Sequence, residues 1–598
     1  MKQKGPERQS RFQEDNDFES INNNQQNSLS PFQPNYQRRP ESDDESTGLL
    51  KKKINFKMEV NANLNGLKLD KSLDNSRDME IQTDPTIDEY LELVGGFGRF
   101  QFFAFLVLFL LIQPTGFLLY NIPFLEYEPA LKCQQKLQDK SLQNNNEWFD
   151  CSKQIACFSD ESSNLNHIID FDNSRTLKNF ITDIGMECES KFNIKLIGSF
   201  YFVGMIISII LWIKCTDYLG RKNIIALGSM LQLLAYSGVC FDNHSLSKLY
   251  VIYFMLGIGS VITICTSYNY MIEFTPKKYK IAVGTLYLAF QILPCIITPV
   301  YLTIMFSHDL SFLMIIGFLA GMSGFILLFP LPESPHYYYS KDCYIECQDA
   351  LNYIARFNGS EHIVDMTRQI EEKSNSSFQR LQSTLKETQF RWFIRQIMQN
   401  NHNANFLVLI TCWTVASFNY YLILFHLQDM SGSIYMNSIA GSLGEFTGSV
   451  LIGSFIIEYG QKNTMLISFT LMIVTALIYQ LPILSTPIYF ACSIFGLKLA
   501  LCFGFASTFT GSNSMFKEEL VAIIFAICNL VARFFSIFAP IVASSENPNT
   551  VIYSYILLSI IGVLCSFCLD ENGTRKRSRK NSPFNNEQLS NSQSSHQL

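Results

Sequence analysis

The stretch Asp-Tyr-Leu-Gly-Arg-Lys-Asn at 217–223 follows one apolar segment, and a shorter version, Glu-Tyr-Gly-Gln-Lys-Asn at 458–463, follows another. The closing Asn residues are 240 positions apart (463 − 223). A second marker recurs at nearly the same distance: Leu-Pro-Glu at 331–333 precedes Leu-Asp-Glu at 569–571 by 238 positions (569 − 331). The chain therefore contains two halves that carry the same markers in the same order.

Each half contains six apolar segments of the length that a bilayer-spanning helix needs, about 20 residues. In lipid every backbone amide must be satisfied internally, so these segments are predicted to be helices. Spans one to six are predicted near 101–124, 194–214, 223–240, 249–272, 281–304 and 311–330. Spans seven to twelve are predicted near 404–426, 435–457, 464–482, 487–508, 519–542 and 551–568. Because many carriers repeat a six-span unit, the pattern predicts an all-α membrane transporter of two pseudo-symmetric six-helix bundles and not an enzyme.

The composition agrees with a membrane protein. Apolar residues make up 48% of the 598 residues and charged residues only 16%, against about 25% charged residues in soluble proteins. The net charge of −6 gives no sign of nucleic-acid binding. We find no nucleotide-binding loop, dinucleotide fingerprint or His/Cys metal cluster. No cofactor or metal is therefore expected, and the driving force should come from substrate gradients, a proton or an exchanged ion.

Lys and Arg in short loops mark the cytoplasmic side of a membrane protein. They concentrate on one side at Lys214, Arg221, Lys222, Lys277, Lys278, Lys280, Lys462, Arg575, Lys576, Arg577, Arg579 and Lys580. Both termini are therefore predicted to be cytoplasmic. The expected organisation is a disordered tail 1–90, a bundle 91–332, a linker 333–402, a bundle 403–570 and a basic tail 571–598. The linker should contain amphipathic helices, with an apolar face formed by Ile345, Ala350, Leu351, Ile354 and Ala355.

The large loop 125–193 lies on the outer side in this topology. It contains four cysteines, Cys133, Cys151, Cys157 and Cys188. An even number of cysteines in a non-cytosolic loop predicts two disulfides, with three possible connectivities. Asn243-His244-Ser245 is a candidate glycosylation site in a short outer loop.

Further motifs identify the family that the chain resembles. The Gly-Arg-Lys turn at 220–222 resembles the loop between spans two and three of the major facilitator superfamily, and Pro-Glu-Ser-Pro at 332–335 resembles its motif after span six. Gly-Arg-Phe-Gln at 98–101 and the loop ending in Glu187-Cys188 are similar to the organic cation, organic anion and carnitine transporter branch. So are the span-seven residues Trp413, Ser417, Phe418, Tyr420 and Tyr421. The resemblance covers about residues 90–570 and implies alternating-access transport of small organic ions.

The chain departs from this family pattern at three positions. Tyr253 stands where the superfamily often has Arg in span four, and Gln461 replaces an Arg in the second-half loop. Ser514 stands where the branch usually has Glu. The second half is thus further from the pattern than the first.

Three ionisable residues of the second half are predicted at membrane depth, where charge is costly and usually functional. They are Glu445 in span eight, Lys498 in span ten and Arg533 in span eleven. Anion and carnitine carriers of the branch tend to have Arg at the position of Arg533. Because a guanidinium can hold a carboxylate through two hydrogen bonds, Arg533 is predicted as the fixed cation of the substrate cavity. The alternative is that Glu445 pairs with Lys498 or Arg533 only to hold the bundle together.

Four aromatic residues of span seven are predicted to line the same cavity. Aromatic rings stack well on organic ions with apolar bodies. With 50 Phe and 27 Tyr in the chain, packing against lipid or other helices is the alternative for each of them. The candidates are Trp413, Phe418, Tyr420 and Tyr421.

The cytoplasmic markers are predicted to form a conformational latch. Asp217 is expected to accept hydrogen bonds from the N-terminus of a neighbouring helix, whose dipole favours an anion. Gly220 would permit the tight turn that aims Arg221 at an acid of a facing helix. A positive-inside anchor is the simpler alternative. The predicted gating residues are Asp217, Gly220, Arg221, Lys222, Glu273 and Glu333.

The leading prediction is a secondary active or facilitative carrier of small organic anions or zwitterions, such as carnitine-like solutes. An organic cation transporter, a sugar porter, or a non-transporting membrane sensor or vesicle protein on a carrier fold are the alternatives. Expected partners are the substrate, membrane lipid and a coupling ion or exchanged solute, for a monomer. The plasma membrane is the expected location, but Glu-Ser-Thr-Gly-Leu-Leu at 45–50 resembles a sorting signal for endosomal or vacuolar membranes.

Overall fold

The structure is a computed structural model, and it describes residues 86–135, 148–158, 165–173, 175–241, 245–305, 309–367, 369, 403–481, 486–516 and 518–569. Within these residues, eleven helices are long and apolar enough to cross a bilayer. The predictions for most of the N-terminal tail, for Asn243, for the end of the linker and for the C-terminal tail fall outside the described residues.

The first half supplies five of these helices and one interrupted span. Span one is Arg99–Thr115, and its last turn, Gly116–Tyr120, is a π-helix. The remaining continuous spans of this half are Lys191–Leu219, Arg221–Phe241, Leu246–Glu273 and Ser311–Leu328. Each of them agrees with its predicted position to within about five residues at either end.

The second half supplies six helices in the same order. Spans seven to twelve are Asn403–His426, Ile434–Tyr459, Gln461–Gln480, Pro487–Met515, Glu518–Ser536 and Pro548–Phe567. A short helix, Phe538–Ala543, continues span eleven to the outer side, and a 3₁₀ turn, Leu427–Asp429, follows span seven.

Span five is interrupted, so the prediction of one continuous helix over 281–304 is wrong. It consists of Lys280–Phe290 and Leu293–Ile304. Pro294 cannot donate to the carbonyl of Phe290, and its ring clashes with that carbonyl in a regular helix. Pro299 likewise leaves the Cys295 carbonyl without its helical donor, and the Ser438 hydroxyl of span eight donates to it at 3.2 Å.

Equivalent spans of the two halves pack against each other in the same pairs. Spans two and four are in extensive contact, as are spans eight and ten, and spans one and six repeat in spans seven and twelve. Gly204 and Gly444, again 240 positions apart (444 − 204), lie at equivalent crossings. A Cβ at Gly204 would overlap the Phe254 carbonyl, and one at Gly444 would overlap the Phe495 carbonyl. Glycine therefore permits the close helix approach that packing in lipid favours.

The two halves meet along two helix pairs that are also related by the repeat. Span two contacts span eleven, and the outer segment of span five contacts span eight. The Ser199 hydroxyl donates to the Ile537 carbonyl at 2.8 Å across the first of these contacts. The charged residues of the second half lie on spans that face this interface.

The outer loop is folded around a small antiparallel sheet. Its strands, β1 (Leu131–Gln135), β2 (Phe149–Cys151) and β3 (Leu165–Ile169), lie in the order β2-β1-β3. Disulfides join Cys133 to Cys151 and Cys157 to Cys188, which confirms two bridges and selects one of three connectivities. His167 lies beside Cys157 and Cys188 in the arrangement of a metal site, but the two sulfurs are bonded to each other and cannot act as thiolate ligands.

The linker begins with two helices, Pro335–Ser340 and Tyr344–Asn358, that pack under the first half. Leu351, Ile354 and Ala355 of the predicted apolar face are buried. Ile345 is 62% exposed, so its assignment to that face is wrong. It lies in the first turn, before the helix reaches the bundle. Asn358 accepts a hydrogen bond from the Phe100 backbone N–H at 2.8 Å and so caps span one.

Candidate functional site

Two of the three charged residues at membrane depth form a buried ion pair. Lys498 Nζ lies 2.6 Å from Glu445 Oε1, and each side chain is only 5% exposed. Span eight and span ten are in close contact here because small residues such as Gly441 and Gly444 lie between them. The two charges therefore neutralise each other. This pairing is the arrangement of the alternative in which Glu445 and Lys498 hold the bundle together.

Tyr420 of span seven completes this pair. Its hydroxyl donates to the second oxygen of Glu445 at 3.4 Å. The ammonium of Lys498 lies 4.7 Å from the centre of the Tyr420 ring, within the range of a cation–π contact. Cation, carboxylate and aromatic ring thus form one compact group.

The third charge, Arg533, has neutral partners. Its Nη1 donates to the Tyr421 hydroxyl at 2.5 Å and its Nε to Asn529 Oδ1 at 3.2 Å. The guanidinium also lies 5.2 Å from the Tyr421 ring centre. Among the described residues, no carboxylate lies within salt-bridge distance of it. The guanidinium is thus hydrogen-bonded to neutral side chains.

The charged groups lie at one depth. Glu445 and Lys498 each follow the outer end of their helix by 11 residues (445 − 434 and 498 − 487), and Arg533 precedes Ala543 by 10. At about 1.5 Å per residue these are distances of about 15–17 Å, half a hydrocarbon core. Tyr420 and Tyr421 are in contact, with ring centres 5.2 Å apart. They therefore connect the ion pair to Arg533.

The first half contacts this group through span two. The ring of Phe202 lies 4.6 Å from that of Tyr421, edge to face. Tyr201 is within electrostatic range of Arg533 and Tyr421, and its hydroxyl pairs with the Ser260 hydroxyl at 2.9 Å. Residues of both halves therefore surround the position where a substrate bound to Arg533 would lie.

Trp413 and Phe418 lie apart from the charged group. Trp413 packs against Phe509 and Phe525, and Phe509 also contacts Tyr268 of span four at 6.4 Å between ring centres. Trp413 precedes Tyr421 by eight residues, so this aromatic cluster is about 12 Å closer to the first turn of span seven. Phe418 is half-buried and packs against the hydrophobic core.

At the cytoplasmic ends, Glu333 joins span six to the start of span three. Its carboxylate accepts from the backbone N–H groups of Arg221, Lys222 and Ser334 at 3.0–3.2 Å. Burial raises the pKa of the Glu333 carboxyl above its ordinary value, and these backbone donors oppose the shift. Glu333 thus supplies an anion at the N-terminus of span three, because the chain after span six returns directly to this helix end. The prediction for Asp217 remains a prediction. The Asp217 side chain lies outside the described part.

The turn that allows this contact requires glycine. Gly220 has φ +84° and ψ 166°, a conformation that residues with a Cβ avoid. Arg221 Nε then lies 3.2 Å from Glu273 Oε1 of span four, and the guanidinium lies over the Tyr337 ring. Lys222 donates to the Phe329 carbonyl at 2.7 Å. The structure brings together all the predicted gating residues whose side chains it describes.

The second half repeats the turn without most of its charges. Gly460 has φ +81° and ψ 169°. Lys462 donates to the carbonyls of Phe567 and Leu569 at 2.8 and 2.7 Å. Where Arg221 contacts an acid, Gln461 donates to the Ser507 carbonyl. The departure from the family pattern at 461 is therefore accommodated by a neutral contact.

Several residues of these sites were not predicted from the sequence. Tyr201 and Asn529 gave no signal, because one Tyr among 27 and one Asn on a helix are ordinary residues. Glu126 and Lys195 also form a buried ion pair, at 3.1 Å. They carried a weak signal, since each is a charge next to an apolar segment.

Comparison with known proteins gives the family. The profile described as Major Facilitator Superfamily matches residues 180–540, which is 361 of 598 positions (540 − 180 + 1). The chain therefore belongs to the Major Facilitator Superfamily and is a multi-pass membrane transporter. The inward open conformation of the xylose transporter XylE from E. coli is a similar solved structure, with a TM-score of 0.51 and 14% identity over 78% of this chain and 94% of that chain. This likeness concerns the fold alone.

Several similar proteins have names of organic-ion transporters. The chain is 20% identical to "Organic cation transporter-like protein" of Drosophila melanogaster over 76% of its own length and 84% of the relative. It is 20% identical to "Solute carrier family 22 member 4" of Mus musculus over 60% and 68%. The human "Organic cation/carnitine transporter 2" is 20% identical over 46% of this chain and 48% of the relative.

Proposed function

We propose that this member of the Major Facilitator Superfamily carries small organic anions or zwitterions across its membrane by alternating access, with Arg533 as the substrate anchor. One observation carries the proposal. Arg533 has neutral partners among the described residues, Tyr421 and Asn529, whereas Glu445 is already neutralised by Lys498. The guanidinium therefore keeps a positive charge that a substrate carboxylate or sulfonate can neutralise through charge-assisted hydrogen bonds.

The group around Tyr420 favours a zwitterion. Lys498 holds an ammonium over the Tyr420 ring beside a carboxylate, and aromatic rings recognise quaternary ammonium ligands in the same way. A substrate ammonium that displaces Lys498 would occupy this face while the substrate carboxylate binds Arg533. Organic cations are the second candidate class, supported by Glu445 and by the names of the similar transporters.

Uptake into proteoliposomes tests the proposal. Radiolabelled organic anions, carnitine-like zwitterions, cations and hexoses are offered to the wild type, Arg533→Gln and Arg533→Lys. We expect anion or zwitterion uptake by the wild type and a KM about tenfold to hundredfold higher in Arg533→Gln, because a hydrogen bond to a charged group contributes about 1.5–3 kcal/mol. Arg533→Lys should retain part of the affinity. Tyr421→Phe is the matched control, since it removes one partner of the guanidinium and keeps the charge.

Other outcomes would refute the proposal. Uptake of simple cations that persists in Arg533→Ala would make Arg533 a structural residue. Uptake of hexoses alone would identify a sugar porter. Binding without uptake of any class would favour a membrane sensor.

We further propose that the cluster of Gly220, Arg221, Lys222, Glu273 and Glu333 is a cytoplasmic latch that changes as the bundles 91–332 and 403–570 rock against each other. The latch lies where the carrier must open to release its substrate inward. We propose a monomer in contact with lipid, at the plasma membrane, with an endosomal or vacuolar membrane as the alternative. The coupling ion or exchanged solute is not assigned to any residue.

A further inference from the structure

A buried ion pair lies at the outer end of the first half, well away from Arg533. Glu126 follows the short helix Ile122–Leu125, and Lys195 lies in the second turn of span two. Lys195 Nζ is 3.1 Å from Glu126 Oε2, and each side chain is 1% exposed. The proposed substrate site and the cytoplasmic latch leave this pair without a role.

The second half completes the pair with one neutral side chain. Gln428 lies in the 3₁₀ turn Leu427–Asp429. In the amide orientation that satisfies both of its ends, its oxygen accepts from Lys195 Nζ at 2.7 Å. Its nitrogen donates to the backbone carbonyls of Glu126 at 3.0 Å and Pro123 at 3.2 Å. Lys195 is therefore bonded to both halves of the carrier at once.

The pair depends on this neighbour for physical reasons. A buried ion pair is favourable only when additional hydrogen bonds satisfy the remaining donors and acceptors. Glu126 Oε1 has no hydrogen-bond partner in the described part of the chain, and burial raises the pKa of this carboxyl against the attraction of Lys195. Removing Gln428 would leave the Lys195 ammonium and the backbone carbonyls of Glu126 and Pro123 less satisfied while the outer side is closed, whereas opening to the outside would hydrate them. Removing the Gln428 side chain should therefore shift the equilibrium of the carrier towards the state that is open on the outer side.

A second contact between the halves lies beside the first and differs in burial. Lys191 Nζ is 3.1 Å from Asp429 Oδ1, with side chains 34% and 23% exposed. A solvent-exposed pair contributes little because water and salt screen it. The Lys191–Asp429 pair is thus a natural control. Lys191 lies one helical turn before Lys195, and Asp429 is the residue after Gln428.

We propose that Gln428, Glu126 and Lys195 form the outer gate of the carrier. In this gate, Gln428 of the second half is hydrogen-bonded to the buried ion pair of the first half. These are positioning residues: they set how readily the outer side opens and do not contact the substrate. The proposal goes beyond the assignment of the substrate and does not depend on it.

Native Cys295 can report opening of the gate. It is buried, and its carbonyl contacts Ser438 of span eight across the interface between the halves. The protein in right-side-out vesicles is treated with a membrane-impermeant methanethiosulfonate, and labelling of the Cys295 peptide is followed by mass spectrometry. We expect Gln428→Ala to raise the labelling rate about tenfold or more, because it removes a hydrogen bond to a charged group. Asp429→Asn should change the rate by less than about twofold.

A double-mutant cycle makes the test specific. Glu126→Leu combined with Lys195→Met replaces the ion pair by apolar side chains, and Gln428→Ala should then have a much smaller effect on the labelling rate, because only its hydrogen bonds to the backbone carbonyls of Glu126 and Pro123 remain to be lost. An unchanged rate in a monodisperse Gln428→Ala protein would overturn the proposal. So would an undiminished effect of Gln428→Ala in the apolar background. If Gln428→Ala does not fold, Glu126→Gln, which keeps the shape and removes the charge, should also accelerate labelling, and failure to do so counts equally against the gate.

Discussion

Replacing Gly220 by Ala should destabilise the first half more when Glu333 is present than when it is absent. Gly220 has φ +84° and ψ 166°. A Cβ at position 220 would overlap Glu333 Oε2 and lie 3.0 Å from Glu333 Cδ. The substitution therefore causes backbone strain together with displacement of a carboxylate, and without Glu333 it should cause the strain alone.

The magnitudes follow from these two effects. A residue with a Cβ in this region of φ and ψ costs about 1–3 kcal/mol. Displacing Glu333 weakens its hydrogen bonds from the backbone of Arg221, Lys222 and Ser334, and a hydrogen bond to a charged group contributes about 1.5–3 kcal/mol. We expect Gly220→Ala to lower the free energy of unfolding by about 3–5 kcal/mol in the wild-type protein, given losses that do not add fully, and by about 1–3 kcal/mol in a Glu333→Ala background.

Thermal unfolding of purified protein in one detergent, followed by loss of the monodisperse peak, measures the cost of Gly220→Ala in both backgrounds. The decisive comparison repeats Gly220→Ala in a Glu333→Ala background, where no carboxylate remains to be displaced. The cost there should fall to the value for backbone strain alone. An equal cost of Gly220→Ala with and without Glu333 would refute the reasoning, since the glycine would then serve the turn and not the carboxylate contact.

Two further predictions concern the outer domain and the repeated lysine. Cys133→Ala with Cys151→Ala opens a loop of 18 residues, which removes about 3 kcal/mol of stabilisation in the loop-entropy view, so external protease should cut near β1 and β2 faster while transport changes little. Lys462→Met should lower the thermal midpoint more than Lys222→Met, because Lys462 donates to two carbonyls and Lys222 to one; a larger loss in Lys222→Met would contradict this.

Much of the fold could be predicted from the sequence because lipid imposes strong rules. A helix must span the bilayer and most of its charges lie outside it, so apolar length and the position of charged loops predicted eleven continuous spans. The repeated Gly-x-Lys turns at 220–222 and 460–462 indicated equivalent loops, and both glycines share one conformation. The disulfides were predictable as a number, since pairing in an outer loop is a chemical expectation, but not as a connectivity.

Which charged side chains form ion pairs could not be predicted in the same way. Glu445, Lys498 and Arg533 lie on three helices, and which two of them meet depends on helix rotation and on small residues between the helices. The break in span five could not be predicted from apolar length alone, because the segment is long enough to cross the bilayer and only its two prolines indicate an interruption. Glu126 and Lys195 are 69 positions apart (195 − 126). Because a charge at the end of a span normally faces water, only the three-dimensional structure shows that this pair is buried.

The described charges are divided between the two halves in a way that fits the proposed roles in binding and in gating. The three ionisable residues at the midplane, Glu445, Lys498 and Arg533, all belong to the second half, whereas the ion pairs Arg221–Glu273 and Glu126–Lys195 belong to the first. The second half meets the outer pair with a neutral Gln428 and forms its inner turn with a neutral Gln461. Neutral partners can separate from a charged pair without leaving a second buried charge behind, which keeps the cost of opening low on either side. Substitutions at the first-half pairs should therefore change the balance between outward and inward states, and substitutions at the midplane should change which ions are bound.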